Sequence, residues 1–152
     1  MIQDNEELRE LYQEVILDHN KSPRNYGRME HPTHHAEGFN PLCGDHLQMF
    51  LQIEDGVIRD VRFEGDGCAI SKASASIMTS ELKGKTVQEA EQMFDSFQES
   101  VTGALNAEDE PMLGKLSVIT GVREFPVRIK CATLAMHTAK SALHGIEITS
   151  TE

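Results

Sequence analysis

The sequence predicts a fold that mixes helices with an antiparallel β-hairpin, and three observations carry the prediction. Residues 47–53 alternate, with Leu47, Met49, Leu51 and Ile53 facing one way and Gln48 and Gln52 the other, the period of a half-buried strand. Glu54-Asp55-Gly56 then turns the chain, and 57–63 returns as a second strand. Around this hairpin, several stretches place apolar residues at helical spacing.

In chain order, the first helix is expected over 6–17, where Leu8, Leu11, Tyr12, Val15 and Ile16 recur on one face. Asp4 or Asn5 suits its N-cap, and Glu6 and Glu7 suit its positive end. Pro23 and Gly27 mark 18–27 as a break. From there to Pro41 the chain reads as loop with room for one short strand, and His31, His34 and His35 read as solvated loop histidines. After the hairpin, 69–83 reads as a helix of small residues closed by Gly84 at the C′ position. Thr86-Val87-Gln88-Glu89 is a capping box, and the helix it opens buries Ala90, Met93, Phe94, Phe97 and Val101.

The segment 103–114 is polar and acidic, carrying Glu108-Asp109-Glu110-Pro111. Its apolar residues Leu105, Met112 and Leu113 are too sparse for a core helix, so it reads as lying outside the core, with a short helix over 112–120. Pro126 opens the last helix at its first turn, and that helix runs to about Leu143 with Ile129, Ala132, Ala135, Ala139 and Ala142 on or near its packed face. There are no internal repeats, and the whole chain, 1–152, reads as one domain.

Composition narrows the function classes. At 39% hydrophobic and 26% charged the chain is globular. A net charge of −11 argues against non-specific nucleic-acid binding, which needs a basic surface. No apolar run approaches membrane-spanning length, and the first residues show neither the basic nor the apolar stretch of a signal peptide. The expected compartment is the cytoplasm, where thiols stay reduced. Three widely spaced cysteines fit a disulfide framework poorly.

The stretch Asn40-Pro41-Leu42-Cys43-Gly44-Asp45 sets a thiol and a carboxylate on either side of a glycine that lets both point at one spot. Asp45 lies just before one end of the hairpin and Cys68 just after the other, so antiparallel pairing makes Cys43, Asp45 and Cys68 neighbours. Cys68 and Cys131 both lie near helix N-termini, and at the start of its helix Cys68 gains the free N–H groups and dipole that favour thiolate. Cys43, Asp45, Cys68 and Cys131 make four ligands, the number a tetrahedral zinc takes. Taken singly, each cysteine reads as a small buried hydrophobe and Asp45 as a turn residue or cap. It is their shared position at element junctions that favours a site. A Cys/His nucleophile pair with His46 or His137 as base has no sequence signature behind it.

Three motifs in order, Pro41-Leu42-Cys43-Gly44-Asp45, then 63–71 from Phe63 through Gly67-Cys68 to Ser71, then Ile129-Lys130-Cys131-Ala132, resemble the IscU/NifU-like iron–sulfur assembly proteins. Asp18-His19 with Pro23-Arg24-Asn25 and Gly27 matches the same family's N-terminal pattern, so the resemblance spans nearly the whole chain. Within the family the chain is similar to the SufU branch. Lys130 stands where the scaffold branch has a histidine, Glu124-Phe125-Pro126-Val127-Arg128 replaces a chaperone-docking Leu-Pro-Pro-Val-Lys, and 103–120 looks like the SufU insertion. The resemblance implies an α+β domain with a three-stranded antiparallel sheet and helices on one side. It implies zinc on Cys43, Asp45, Cys68 and Cys131, and Cys43 as acceptor of persulfide sulfur from a pyridoxal-phosphate cysteine desulfurase of the SufS type. It further implies hand-over to downstream iron–sulfur scaffold proteins. Arg128, one helical turn from Cys131, then stabilises the ligand charge or is simply a solvated arginine. The other reading in the same family is a non-enzymatic scaffold that builds an iron–sulfur cluster on the same ligands.

Overall fold

The computed structural model describes residues 2–102 and 111–151. The chain runs through α1 (Ile2–Lys21), β1 (His34–Asn40), β2 (Asp45–Glu54), β3 (Val57–Asp66), α2 (Ala69–Leu82) and α3 (Val87–Val101). A 3-10 segment (Pro111–Glu124) and a 3-10 turn (Pro126–Arg128) then lead into α4 (Ile129–Leu143) and β4 (Ile148–Ser150). Among the described residues, no helix is long and apolar enough to cross a membrane.

The expected hairpin is the centre of the sheet. Asp55 and Gly56 take positive φ of 53° and 75°, the conformation of a two-residue turn whose twist matches paired strands. β2 then pairs antiparallel with β3 from Glu54↔Val57 to His46↔Asp66. Leu47, Met49 and Leu51 face the core with Val61 and Phe63. A register shift at Gln52/Ile53 brings Ile58, three residues from Val61, onto the same side.

The sheet has four strands in the order β3-β2-β1-β4, which corrects the expected three-stranded antiparallel sheet. β1 pairs antiparallel with β2, and β4 pairs parallel with β1. β1 carries Ala36, Gly38 and Asn40 on its buried side. Gly38 has a packing reason, since a Cβ there would run into Thr138 and Leu134 of α4. The reading of His34 and His35 as loop residues is corrected as well. Both lie in β1, and the His35 ring stacks on Phe50 at 4.8 Å.

α1 continues one turn past its expected end at Leu17 because that turn docks. His19 is buried, with Nδ1 2.7 Å from Ser76 Oγ on α2. The following loop is pinned to the same helix. Arg24 N–H donates to Ser76 Oγ at 2.8 Å, and Asn25 Nδ2 donates to Thr79 Oγ1 at 3.1 Å. The capping box of α3 forms in both directions, Glu89 N–H to Thr86 Oγ1 and Thr86 N–H to Glu89 Oε1. The core residues expected of α3 are all buried.

The 3-10 segment corrects the reading that Leu113 and its surroundings stay out of the core. Leu113, Leu116, Ile119 and Val122 are fully buried against α1, α2 and α3. The acidic run Glu108-Asp109-Glu110 and Leu105 lie outside the described residues. Leu116→Ala should therefore cost about 2–5 kcal/mol, as for any large-to-small change in a core. Urea unfolding measures this, and a midpoint equal to the parent's would return the segment to the status of a passive linker.

Burial holds the His19 imidazolium below the ordinary histidine range, and the charges of Arg24 and Lys115 push the same way against Asp18. The unfolded chain thus binds the proton first as pH falls. Stability should be complete above the ordinary value of about 6.5 and decline below it. His137, depressed by burial and by Lys140, adds a slope of the same sign. His19→Gln should flatten the decline in melting temperature below that pH, and a slope identical to the parent's would show that His19 is not among its sources.

Candidate metal centre

The site is built at the end of the hairpins where the strands meet two helices. β1 and β2 are joined by the tight turn 41–44, with Asn40 and Asp45 directly paired across it. Gly44 adopts φ +72° there, a conformation costly for other residues. Cys43 rides on this turn and is half-buried, whereas Asp45 points into the protein at 2% exposure. β3 ends at Asp66, and Cys68 follows as the N-cap of α2. Cys131, the third residue of α4, is fully buried.

Cys43, Asp45 and Cys131 each present a donor atom within 4.8 Å of the others, among the described residues. Sγ of Cys131 lies 3.2 Å from that of Cys43, too long for a disulfide. Asp45 reaches the third cysteine through the backbone, its Oδ1 accepting from Cys68 N–H at 2.8 Å. The Cys68 sulfur, the fourth expected ligand, falls outside that 4.8 Å group and accepts from Ser71 N–H at 3.4 Å. Hairpin pairing thus brings Asp45 beside Cys68 as read from the sequence, and α4 delivers Cys131 from the far end of the chain.

Two thiols and a carboxylate converge here with a third cysteine next to them, a donor set that suits a soft divalent ion such as zinc. Burial pushes the Cys131 thiol up, and the neighbouring Cys43 and Cys68 push it further. A cation at this spot would reverse that balance by removing the thiol protons. Arg128 is the positive side chain at the rim, with Nη1 3.9 Å from Cys43 Sγ. The cysteine cluster raises its affinity for the proton, with Cys131 the largest contributor. Of the histidines considered as bases, His46 pairs with Glu37 at 2.8 Å and stacks on Phe39, and neither it nor His137 bonds a cysteine.

Two features were not assigned to the site from sequence. The Tyr12 phenol is buried without a hydrogen-bond partner among the described residues, packed near Gly121 and Phe125. Burial first, and then Cys68, push its pKa up to about 12. Asn40 is completely buried, and its amide donates to Asp45 Oδ2 at 3.0 Å and to Cys131 Sγ at 3.4 Å. The buried alternation Ala36, Gly38, Asn40 was the available signal for Asn40, but a strand of this composition did not announce itself.

The model of the NifU-like N-terminal domain matches residues 11–144. The chain belongs to this family. Within the NifU-like group it is 40% identical over 131 residues to the zinc-dependent sulfurtransferase SufU of Bacillus subtilis, over 86% of this chain and 88% of that one. It is also 38% identical over 136 residues to the iron–sulfur cluster assembly scaffold protein IscU of Streptococcus pyogenes, over 90% and 84%. Its fold matches the crystal structure of a SufU protein from Fervidobacterium islandicum with a TM-score of 0.81 at 36% identity, covering 86% of this chain and 94% of that one. The α+β class implied by the motifs is therefore the fold of the family.

Gly67 lies against the site, since a Cβ there would stand 2.6 Å from Asp45 Oδ1. Gly67→Ala should displace the carboxylate from the Cys68 N–H and lower the uptake of added zinc, with little change in helix content before the metal is added. Metal analysis beside circular dichroism measures both, and zinc uptake equal to the parent's would show that Asp45 tolerates displacement.

Proposed function

We propose that this protein accepts persulfide sulfur from a cysteine desulfurase and relays it for iron–sulfur cluster assembly in the cytoplasm, with zinc held by Cys43, Asp45, Cys68 and Cys131. The observation that carries the reading is the setting of Cys43. It is the one member of the set on a turn rather than on or capping a regular element, half-exposed. Its sulfur faces the Arg128 guanidinium and the Cys131 thiol. Bound zinc would supply one thing, a cysteine cluster held as thiolate at neutral pH.

The sulfur step then follows from the residues. The Cys43 thiolate attacks the terminal sulfur of the desulfurase persulfide. A new S–S bond forms on Cys43 as the desulfurase S–S bond breaks, and the departing desulfurase cysteine leaves as thiolate. No net oxidation is needed, because the sulfane sulfur arrives already oxidised. Arg128 balances negative charge on the reacting sulfurs. Asp45, a hard oxygen ligand tied to backbone, holds its place while the turn moves. The partner is a pyridoxal-phosphate desulfurase of the SufS type, and the recipients are downstream scaffold proteins. The relatives called scaffolds keep a second reading open, in which the same four ligands build a cluster. Exposed Lys130 beside Cys131 leaves no histidine there for a cluster, which favours sulfur relay. We further propose that the chain is a single domain whose insertion, about 103–120, has its acidic part flanking the metal site or the desulfurase interface.

Protein isolated without added iron should carry one zinc per chain, and chelation should lower its melting temperature, since a ligand bound only to the native state stabilises it. Incubated with desulfurase and cysteine, the parent should gain the mass of one sulfur on Cys43. Cys43→Ser should gain none and should not accelerate the desulfurase. A sulfur adduct of parental yield on another cysteine of that variant would overturn the assignment, and iron with labile sulfide in the parent as isolated would favour the scaffold reading.

A further inference from the structure

We infer that Asn40 is a positioning residue of the metal site, orienting Asp45 and Cys131 toward a bound ion, and that Thr151 holds its amide in register. The inference rests on the reading that Cys43, Asp45, Cys68 and Cys131 bind zinc. Asn40 is the last residue of β1 and pairs across the turn with Asp45. Both are on the core-facing side of the sheet, so the ladder that begins with Ala36 and Met49 ends in a polar pair. A completely buried carboxamide is retained only where its donors and acceptor are matched.

All of its partners are defined. Nδ2 donates to Asp45 Oδ2 at 3.0 Å and to Cys131 Sγ at 3.4 Å, and Oδ1 accepts from Thr151 Oγ1 at 2.9 Å. The orientation is forced, because a carboxylate only accepts, and a flipped amide would set two acceptors against each other. Thr151 is placed in turn by its N–H, which donates to Phe39 O at 3.0 Å just past β4. One amide therefore links a strand end, the start of α4 and the C-terminal strand, and it leaves the other Asp45 oxygen to the Cys68 N–H. Partners of this kind fix ligand orientation, and their loss typically weakens metal binding roughly 10–100-fold.

The test uses the full chain freed of metal and titrated with cobalt(II), whose absorption bands report thiolate ligation, against a competing chelator. Asn40→Leu keeps the volume and removes the amide, and it should weaken cobalt binding by about 10–100-fold and shift the ligand-field bands, with the metal-free variant still melting cooperatively. Thr151→Val leaves the amide present but unheld and should give a smaller loss in the same direction. An Asn40→Leu protein that folds and binds cobalt with the parent's affinity and spectrum would overturn the inference, leaving Asn40 as packing. Should that variant not fold, Thr151→Val decides, and parental affinity there overturns the inference equally. A parent that takes up no cobalt overturns the metal reading itself, an outcome distinct from either variant matching a parent that does.

Discussion

The Asp45 carboxylate is the joint on which the rest of this structure turns. A carboxylate at 2% exposure is costly unless donors surround it. Two of its donors come from different parts of the chain, the Cys68 N–H at the mouth of α2 and the Asn40 amide at the end of β1. Meeting that need fixes where β1, β2 and α2 end relative to one another. It also explains the bare backbone at Gly67, where any side chain would enter the carboxylate's space. The cysteines are carried in by the same joint, Cys68 through its own N–H and Cys131 through the shared Asn40 amide.

What was legible in the sequence was what local chemistry decides. The alternation of Leu47, Met49 and Leu51, the Asp55-Gly56 turn and the Thr86/Glu89 box each specify their element within a few residues, and each formed. The approach of Asp45 and Cys68 followed from hairpin geometry alone. What was not legible depends on distant partners. β1, with two histidines and a glycine, has little strand propensity, and its place is set by β2 on one side and α4 pressing on Gly38. β4 is only three residues long, too short for a period to show. The last turn of α1 exists because Ser76 awaits His19. The short helix expected over 112–120 forms as a 3-10 segment, with Leu113, Leu116, Ile119 and Val122 at its period of three, and what the sequence did not show was their burial.

The electrostatics of the centre set like against like. Two sulfurs and a carboxylate converge, with Cys68 beside them, in a chain whose net charge is −11. Arg128 at the rim is the cation in contact with the cysteines among the described residues. Burial pushes the Cys131 thiol up, and its sulfur lies 3.2 Å from that of Cys43. A divalent cation bound here would offset that burial and draw the Cys131 proton off.

The four residues are not equivalent, and the inequality comes from the backbone. Cys68 caps α2, Cys131 lies within α4, and Asp45 begins β2, so none of them moves without its element. Cys43 sits on the four-residue turn, next to a glycine in the left-handed region with nothing within 4 Å of where its Cβ would be. A local change in that turn displaces one sulfur and leaves the other three donors in place. A purely structural zinc site gains nothing from such an asymmetry, since it is best served by four equally fixed ligands. The proposed sulfur relay does gain from it, because presenting one thiol to another protein's persulfide calls for a single loose ligand beside firmer ones.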